Sequence, residues 1–243
     1  MTNHAPRIRK RRWRLLRYLV LAWLISLLPV IFLAFIDPPT SAFMLARQWQ
    51  SRGEPNFHVR YQWMDLEQIS PNLPIALVAA EDQNFPRHHG FDLDAISNVL
   101  TRRGESTRMR GASTITQQLA KNLFLWDGRS WLRKGVEAYY TVMIELLWSK
   151  RRILEVYVNI VEFGDGVYGA EAAARGYFGV AAASLSPRQA AALAAVLPNP
   201  RRFKVQSPTA YQLQRRAWIE RQVQQLGGPA WLADCCGLGD APR

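Results

Sequence analysis

Nineteen consecutive residues, Tyr18 to Ile36, carry no charge. As a helix rising about 1.5 Å per residue, such a run covers roughly 28 Å, close to the ~30 Å hydrocarbon core of a bilayer. Pro29 is tolerable inside a membrane helix. Residues 7–17 ahead of the run hold seven basic residues and no acid. Tyr18 and Trp23 sit toward that basic end, where interfacial aromatics are common. Asp37 and Pro38-Pro39 follow. The pattern predicts a retained signal anchor with its N-terminus in the cytoplasm. A cleaved signal peptide is the alternative. The length of the run and the bulky residues of Ala34-Phe35-Ile36 argue against it.

The expected organisation is therefore a basic cytoplasmic tail over 1–17 and a transmembrane anchor over 18–36. A linker or membrane-proximal segment over 37–56, a globular domain over 57–227 and a C-terminal tail over 228–243 follow. The formal net charge is +12, yet outside the basic block 24 basic residues face 19 acidic ones. That block abuts a membrane span, so a nucleic-acid patch is a weak reading of it. Composition, at 49% apolar and 21% charged, suits a globular chain and excludes disorder or a fibrous repeat. Cys235 and Cys236 are adjacent. With no CxxC pair, neither a disulfide scaffold nor a structural zinc site is expected. A vicinal disulfide would be strained, so two free thiols in a mobile tail are expected.

Beyond the anchor the periodicity is helical. A short strand is expected near 57–63, among the single aromatics Trp49, Phe57, Tyr61 and Trp63. Pro74 is expected to open a helix through Glu81. Further helices are expected over Asp92 to Leu100, Thr114 to Leu123 and Ser130 to Trp148, with 101–110 as a loop. In the third of these, Val136, Tyr140, Met143, Ile144 and Leu147 recur at three- and four-residue steps. Ser149 caps the next helix, Ser186-Pro187 opens another before Pro198, and Ser207-Pro208 opens a last one that Gly227-Gly228 ends. The expected class is mainly α.

Four segments hold more polar residues than a helical core needs. Glu81-Asp82 follows an apolar helix, where partial burial would raise a carboxylate toward the range useful for acid–base work. The bland alternative is a polar helix end with a local salt bridge. Gly111 to Asn122 opens a helix with hydroxyl residues, and Thr114, Gln118 and Lys121 share one donor-rich face. An N-capped surface helix is its alternative. Arg129 to Glu137 places Arg133 four and Lys134 three residues before Glu137. That spacing also suits an ordinary surface ion pair. Lys150 to Asn159 mixes polar and core positions, which suits a capped packing helix.

Taken together, the segments EDxxFxxHxG, GASTITQQLAKN, RSxxRKxxE and KxxILExYxN resemble the glycosyltransferase domain of the penicillin-binding proteins. The likeness is greatest to its stand-alone form, the monofunctional biosynthetic peptidoglycan transglycosylases, and it runs from about residue 57 to about 205. The resemblance implies a lysozyme-like helical lobe, a smaller lobe near the membrane, and polymerisation of lipid II into β-1,4-linked strands with inversion. It assigns the general base to Glu81. The second carboxylate falls on Glu137, which would assist the donor pyrophosphate or its metal, or stabilise the sugar cation. Lys121, Arg129, Arg133 and Lys134 would supply cations for the pyrophosphate, and Thr114, Gln117 and Gln118 donors. Asp82, Phe85 and His88 would shape the site around the base.

No cofactor is required by the sequence, and a divalent Mg or Mn ion at the pyrophosphate is an expectation. A zinc site at His88 or His89 lacks a third ligand at suitable spacing. Lipid II, the growing glycan strand and plasma-membrane lipid are the expected partners. Other cell-wall synthases or division proteins are candidates, and nucleic acid is not expected. No serine stands three before a lysine and there is no KTG, so no transpeptidase or penicillin-binding activity is expected. A lytic, peptidoglycan-cleaving enzyme with a lysozyme-like fold and a catalytic Glu is the alternative. A non-enzymatic membrane adaptor is a third reading. The cationic donor face argues against the first, and the convergence of charge near Glu81 against the second.

Overall fold

The computed structural model describes residues 5–93, 97, 113–128 and 130–237. The loop expected over 101–110 lies outside these residues, as do Gly111, Ala112 and Arg129 and most of the helix expected over Asp92 to Leu100. The chain forms two compact units, residues 1–36 and 37–243.

The first unit is one helix, α1 (Ala5–Leu33). Its segment Trp13–Leu33 is long and apolar enough to cross a membrane. The helix ends three residues before Ile36, and Ala34 and Phe35 make a turn. Pro29 lies inside it.

The second unit is mainly α. Its helices are α2 (Ala42–Gln50), α3 (Asn72–Glu81), α4 (Ile115–Phe124), α5 (Trp131–Leu147), α6 (Lys150–Ile160), α7 (Ala170–Phe178), α8 (Pro187–Val196), α9 (Ala210–Leu226) and the short α10 (Ala233–Cys236). The strands are β1 (Arg60–Tyr61), β2 (Glu162–Gly164) and β3 (Val167–Tyr168), ordered β1-β3-β2. β1 runs parallel to β3 and β2 antiparallel to it.

The segment 37–56 is more than a linker. Ser41 caps α2 by accepting the Met44 N–H at 3.2 Å, and Arg47 is buried. That guanidinium grips Asp165 with two hydrogen bonds, at 2.6 and 2.8 Å, and lies over the Phe57 ring. α2 is thereby tied to the turn between β2 and β3.

α3 is the central core helix. Leu73, Ile75, Leu77 and Val78 are fully buried, each contributing about 1.5–3 kcal/mol by leaving water. The helix starts at Asn72, so Pro74 is its third residue and not its first. The first N–H groups of a helix have no internal partner, so a proline costs nothing at the third position either. α8 and α9 pack on α3, while α5 and α6 pack on α4.

α6 staples the chain ahead of α3. Asn159 accepts the Met64 N–H at 3.0 Å and donates to the Met64 carbonyl at 2.8 Å, and Glu155 accepts the Leu66 N–H at 3.2 Å. Gly169 then closes tightly on α6. It sits at φ +82°, and a Cβ there would come 2.4 Å from the Asn159 carbonyl oxygen.

Two expected helix details change. The last long helix is capped by Thr209, whose hydroxyl accepts the Gln212 N–H at 3.3 Å, and not by Ser207. A capping box with Gln212 outweighs Pro208 as a start signal. On α5 the buried residues are Glu137, Thr141 and Ile144. Leu147 is exposed, and Val136, Tyr140 and Met143 are only half-buried. Periodicity found the stripe but not its orientation, because a polar residue inside the site occupies the buried face. The segment after Gly227 is packed through Leu232 and Cys236, both buried, and Arg151 donates to the Cys236 carbonyl at 3.0 Å. As far as Gly237 it is not a mobile tail.

Candidate active site

Glu81 is the last residue of α3, at the edge of the core. Its Oε2 accepts the side-chain amide of Gln118 at 2.9 Å. Its Oε1 accepts an Nη2 hydrogen of Arg215 at 2.9 Å. Gln118 is held in turn, because its oxygen accepts the Tyr157 hydroxyl at 2.9 Å. Burial pushes the Glu81 carboxyl above its ordinary range, with a smaller push from Asp82. Gln118 and Arg215 act the other way without cancelling it.

Asp82 is buried and belongs to the frame. Its carboxylate sits 2.8 and 3.0 Å from His88 Nε2 and accepts the Ile115 N–H, the first residue of α4, at 2.9 Å. The Gly90 N–H donates to His88 Nδ1 at 3.1 Å, which makes Nε2 the nitrogen that donates to Asp82. Thr114 donates its hydroxyl to the Gly90 carbonyl at 2.7 Å. Gly90 lies at φ +85°, and a Cβ there would stand 2.7 Å from Thr141 Cγ2. Phe85 is fully buried, edge-on to His88 and under the ammonium of Lys150. The residues expected to shape the site thus form one bracket locking α3 to α4.

α4 also carries the cation. Thr114 and Gln117 make its capping box: Thr114 accepts the Gln117 N–H at 3.2 Å, and the Gln117 oxygen accepts the Thr114 N–H at 3.0 Å. Both are buried. Their polar groups are committed to the helix start, whereas Gln118 faces the base. Lys121, one turn beyond Gln118, is half-buried and lies over the Phe43 ring. Burial lowers its pKa from the ordinary lysine value. Glu137 works against that fall, while Arg133 and Lys134 add to it. These couplings put the cations of α4 and α5 in one electrostatic neighbourhood.

On α5, Glu137 is 3% exposed. Arg133 donates to its Oε2 at 2.6 Å and to the Gly128 carbonyl at 2.6 Å, and Lys134 donates to its Oε1. Two cations thus neutralise one buried carboxylate and leave an excess of positive charge. Among the described residues no group of three His, Cys, Asp or Glu could hold a metal ion. Both oxygens of Glu137 are already taken by cations.

Two hollows flank α4. One of about 210 Å³ is lined by Glu81, Asp82, Ser113, Thr114 and Trp218 among others. The second, of about 510 Å³, includes Gln118, Lys121, Asn122, Phe43, Glu162 and Arg201. Glu81 lines the first and the half-buried Lys121 the second, and the Glu81–Gln118 hydrogen bond joins their walls.

Sequence reasoning missed Arg215, Trp218, Glu162 and Arg201, and gave Tyr157 no role of its own within the KxxILExYxN segment. Glu162 is a buried carboxylate, pushed up by burial and opposed by Arg201 at 3.3 Å. The Arg215-Arg216 pair looks like surface charge on a polar helix, and nothing local links it to a residue 134 positions away.

Residues 50–224 match the transglycosylase family. The chain is 55% identical over 229 residues, 92% of its length and 93% of the relative's, to the biosynthetic peptidoglycan transglycosylase of Xanthomonas campestris pv. campestris strain B100. It is 56% identical over 229 residues, 91% of its length, to 94% of the protein of that name in Xylella fastidiosa strain M12.

Proposed function

This chain belongs to the transglycosylase family, and from that premise we propose that it polymerises lipid II into peptidoglycan glycan strands with Glu81 as the general base. It is a peptidoglycan glycosyltransferase of cell-wall synthesis, and lipid II and the glycan strand are its substrates. In the proposed mechanism the ionised Glu81 carboxylate takes the proton of the acceptor 4-hydroxyl. The freed oxygen attacks C1 of the donor sugar. The α-linked undecaprenyl pyrophosphate leaves, and a β-1,4 bond forms with inversion.

One observation carries this reading. α4 holds the base through Gln118 and presents the half-buried Lys121 one turn further along. Gln118 and Lys121 lie three residues apart, about 4.5 Å along the helix axis, so one face of α4 serves both the base and the cation. A carboxylate raised by burial is a stronger base than a free one, and a desolvated cation meets developing phosphate charge without prior rearrangement. Arg133 and Lys134 extend the positive field. Glu137 keeps those two cations in place until the pyrophosphate competes for them.

The anchor supports a setting. α1 has the length and composition of one membrane crossing. In the proposed topology residues 7–17 stay in the cytoplasm, and the second unit works on the outer side of the plasma membrane, where the substrate's lipid is anchored.

Labelled lipid II incubated with the purified protein tests the reading. Strands of many disaccharides are expected from the wild type and none from Glu81→Gln. Shortened sacculi with no strands would point to a lytic enzyme.

A further inference from the structure

We propose that Arg215 is a positioning residue for the base, a clamp supplied by α9 that holds the end of α3 and the Glu81 carboxylate in the reacting orientation. The proposal rests on Glu81 being the base.

The need for a clamp follows from where Glu81 stands. It is the final residue of α3, where the helix dipole presents its negative end and a carboxylate is disfavoured. The preceding helix is apolar and buried, so little water reaches the group. Two unfavourable terms therefore act on the same anion. Arg215 meets both. Its Nη2 hydrogens reach Glu81 Oε1 at 2.9 Å and the Ala80 carbonyl, one of the last free carbonyls of α3, at 3.4 Å.

The surroundings offer no substitute among the described groups. Asp82, next in the chain, repels Glu81 and is itself occupied by His88 and the Ile115 N–H. Gln118 from α4 and, behind it, Tyr157 from α6 are uncharged. The buried part of α8, which also packs on α3, consists of alanines with Leu193 and Val196. Arg215 is the cation that acts on Glu81.

Among the described residues the Nε of Arg215 is buried without a hydrogen-bond partner, as is that of Arg216, so the guanidinium of Arg215 makes its contacts through Nη2, to Glu81 and to the Ala80 carbonyl. The two contacts also fix direction. Arg215 takes Oε1 and Gln118 takes Oε2, which restrains rotation of the carboxylate plane and leaves a lone pair on each oxygen for the acceptor proton.

The pH dependence of polymerisation on lipid II tests this, with melting temperature measured alongside. Arg215 favours the ionised carboxylate, so its removal shifts protonation of the base to higher pH. The acid limb of kcat/KM should move up by roughly one to three pH units in R215Q, and raising the pH should recover activity. R215K, which keeps a charge but loses the fork, should show a smaller shift. R215Q and R215K limbs that overlay the wild type, with activity lowered equally at every pH, would overturn the proposal and make Arg215 a packing residue. If R215Q fails to fold, R215K alone decides by the same limb. E81Q separates the two readings. Wild-type polymerisation by E81Q sinks the base assignment, whereas an inactive E81Q with unshifted Arg215 variants sinks the clamp alone.

Discussion

Gln118 donates to Oε2 of Glu81 at 2.9 Å from a helix that begins 33 residues after Asp82, the residue whose carboxylate receives that helix's first N–H. The base and the helix that orients it are thus referenced to the same two-residue corner. Displacing α4 displaces the hydrogen bond.

Glu81→Gln removes basicity and keeps a carbonyl oxygen for Arg215. Turnover should fall by roughly 10²–10⁴-fold. The folded-state pKa of Glu81 is raised, so its contribution to stability is present below the unfolded pKa and is lost as pH rises through the folded value. The variant escapes that loss. Its melting temperature relative to wild type should therefore improve as pH rises from acid to neutral. A steady relative decline over that range would contradict the sign.

Asp82→Asn removes a charged acceptor from two donors, His88 and the start of α4. The expected cost is about 1.5–3 kcal/mol, read by denaturant unfolding, and turnover should fall with it because Gln118 loses its reference. Unchanged stability with lost turnover would instead make Asp82 a direct participant.

Lys121 loses its proton at lower pH than a free lysine, because burial disfavours the ammonium. Donor binding should weaken on the alkaline side of the rate profile, and Lys121→Arg should extend that limb to higher pH. Lys121→Ala should raise KM for lipid II more than it lowers the melting temperature. A large melting-temperature loss with normal KM would leave Lys121 a structural residue.

Glu137→Gln strands Arg133 and Lys134 beside each other. Because the Lys134 side chain is 45% exposed, the expected loss is about 1–3 kcal/mol, below that of a fully buried pair. Inorganic pyrophosphate should restore part of it if the two cations form an anion site. No thermal shift on adding pyrophosphate would argue against that role.

Deleting residues 1–36 removes the first unit. Polymerisation of soluble lipid II analogues in detergent should persist, while activity on lipid II held in vesicles should drop, since a tethered enzyme meets its substrate at high effective concentration. A reporter fused after Arg243 should be active only outside the cytoplasm. Activity inside would overturn the orientation.

Local chemistry made much of this molecule legible. The caps Ser149 and Ser186 each accept an N–H at the helix starts where they were expected, and the helix expected from about Ser130 begins at Trp131 with Ser130 as its cap. Glu81 stands at the core edge that its apolar helix implied. The pairing of Glu137 with Arg133 and Lys134 followed from helical spacing. What could not be read depends on tertiary approach. The resemblance assigned Gln117 and Gln118 alike as donors, yet Gln117 closes the local capping box and only Gln118 reaches the base, across the approach of α4 to α3. Arg47, Glu162 and Arg201 look like scattered charges until α2 and the small sheet bring them together.

The contact between Arg215 and Glu81 spans 134 positions, and it bears on how the protein matures. The four recognisable segments are complete by Asn159, whereas the clamp arrives only with α9. A chain emerging N-terminus first presents every signature residue while its base has only the Gln118 amide to hold it. A truncated product ending before Ala210 would look intact in any comparison of those segments. It would nonetheless hold a carboxylate at an uncapped helix end, with no countercharge from α9 and no wall from Trp218. Completion of the last long helix is thus the step that converts a recognisable chain into a competent one.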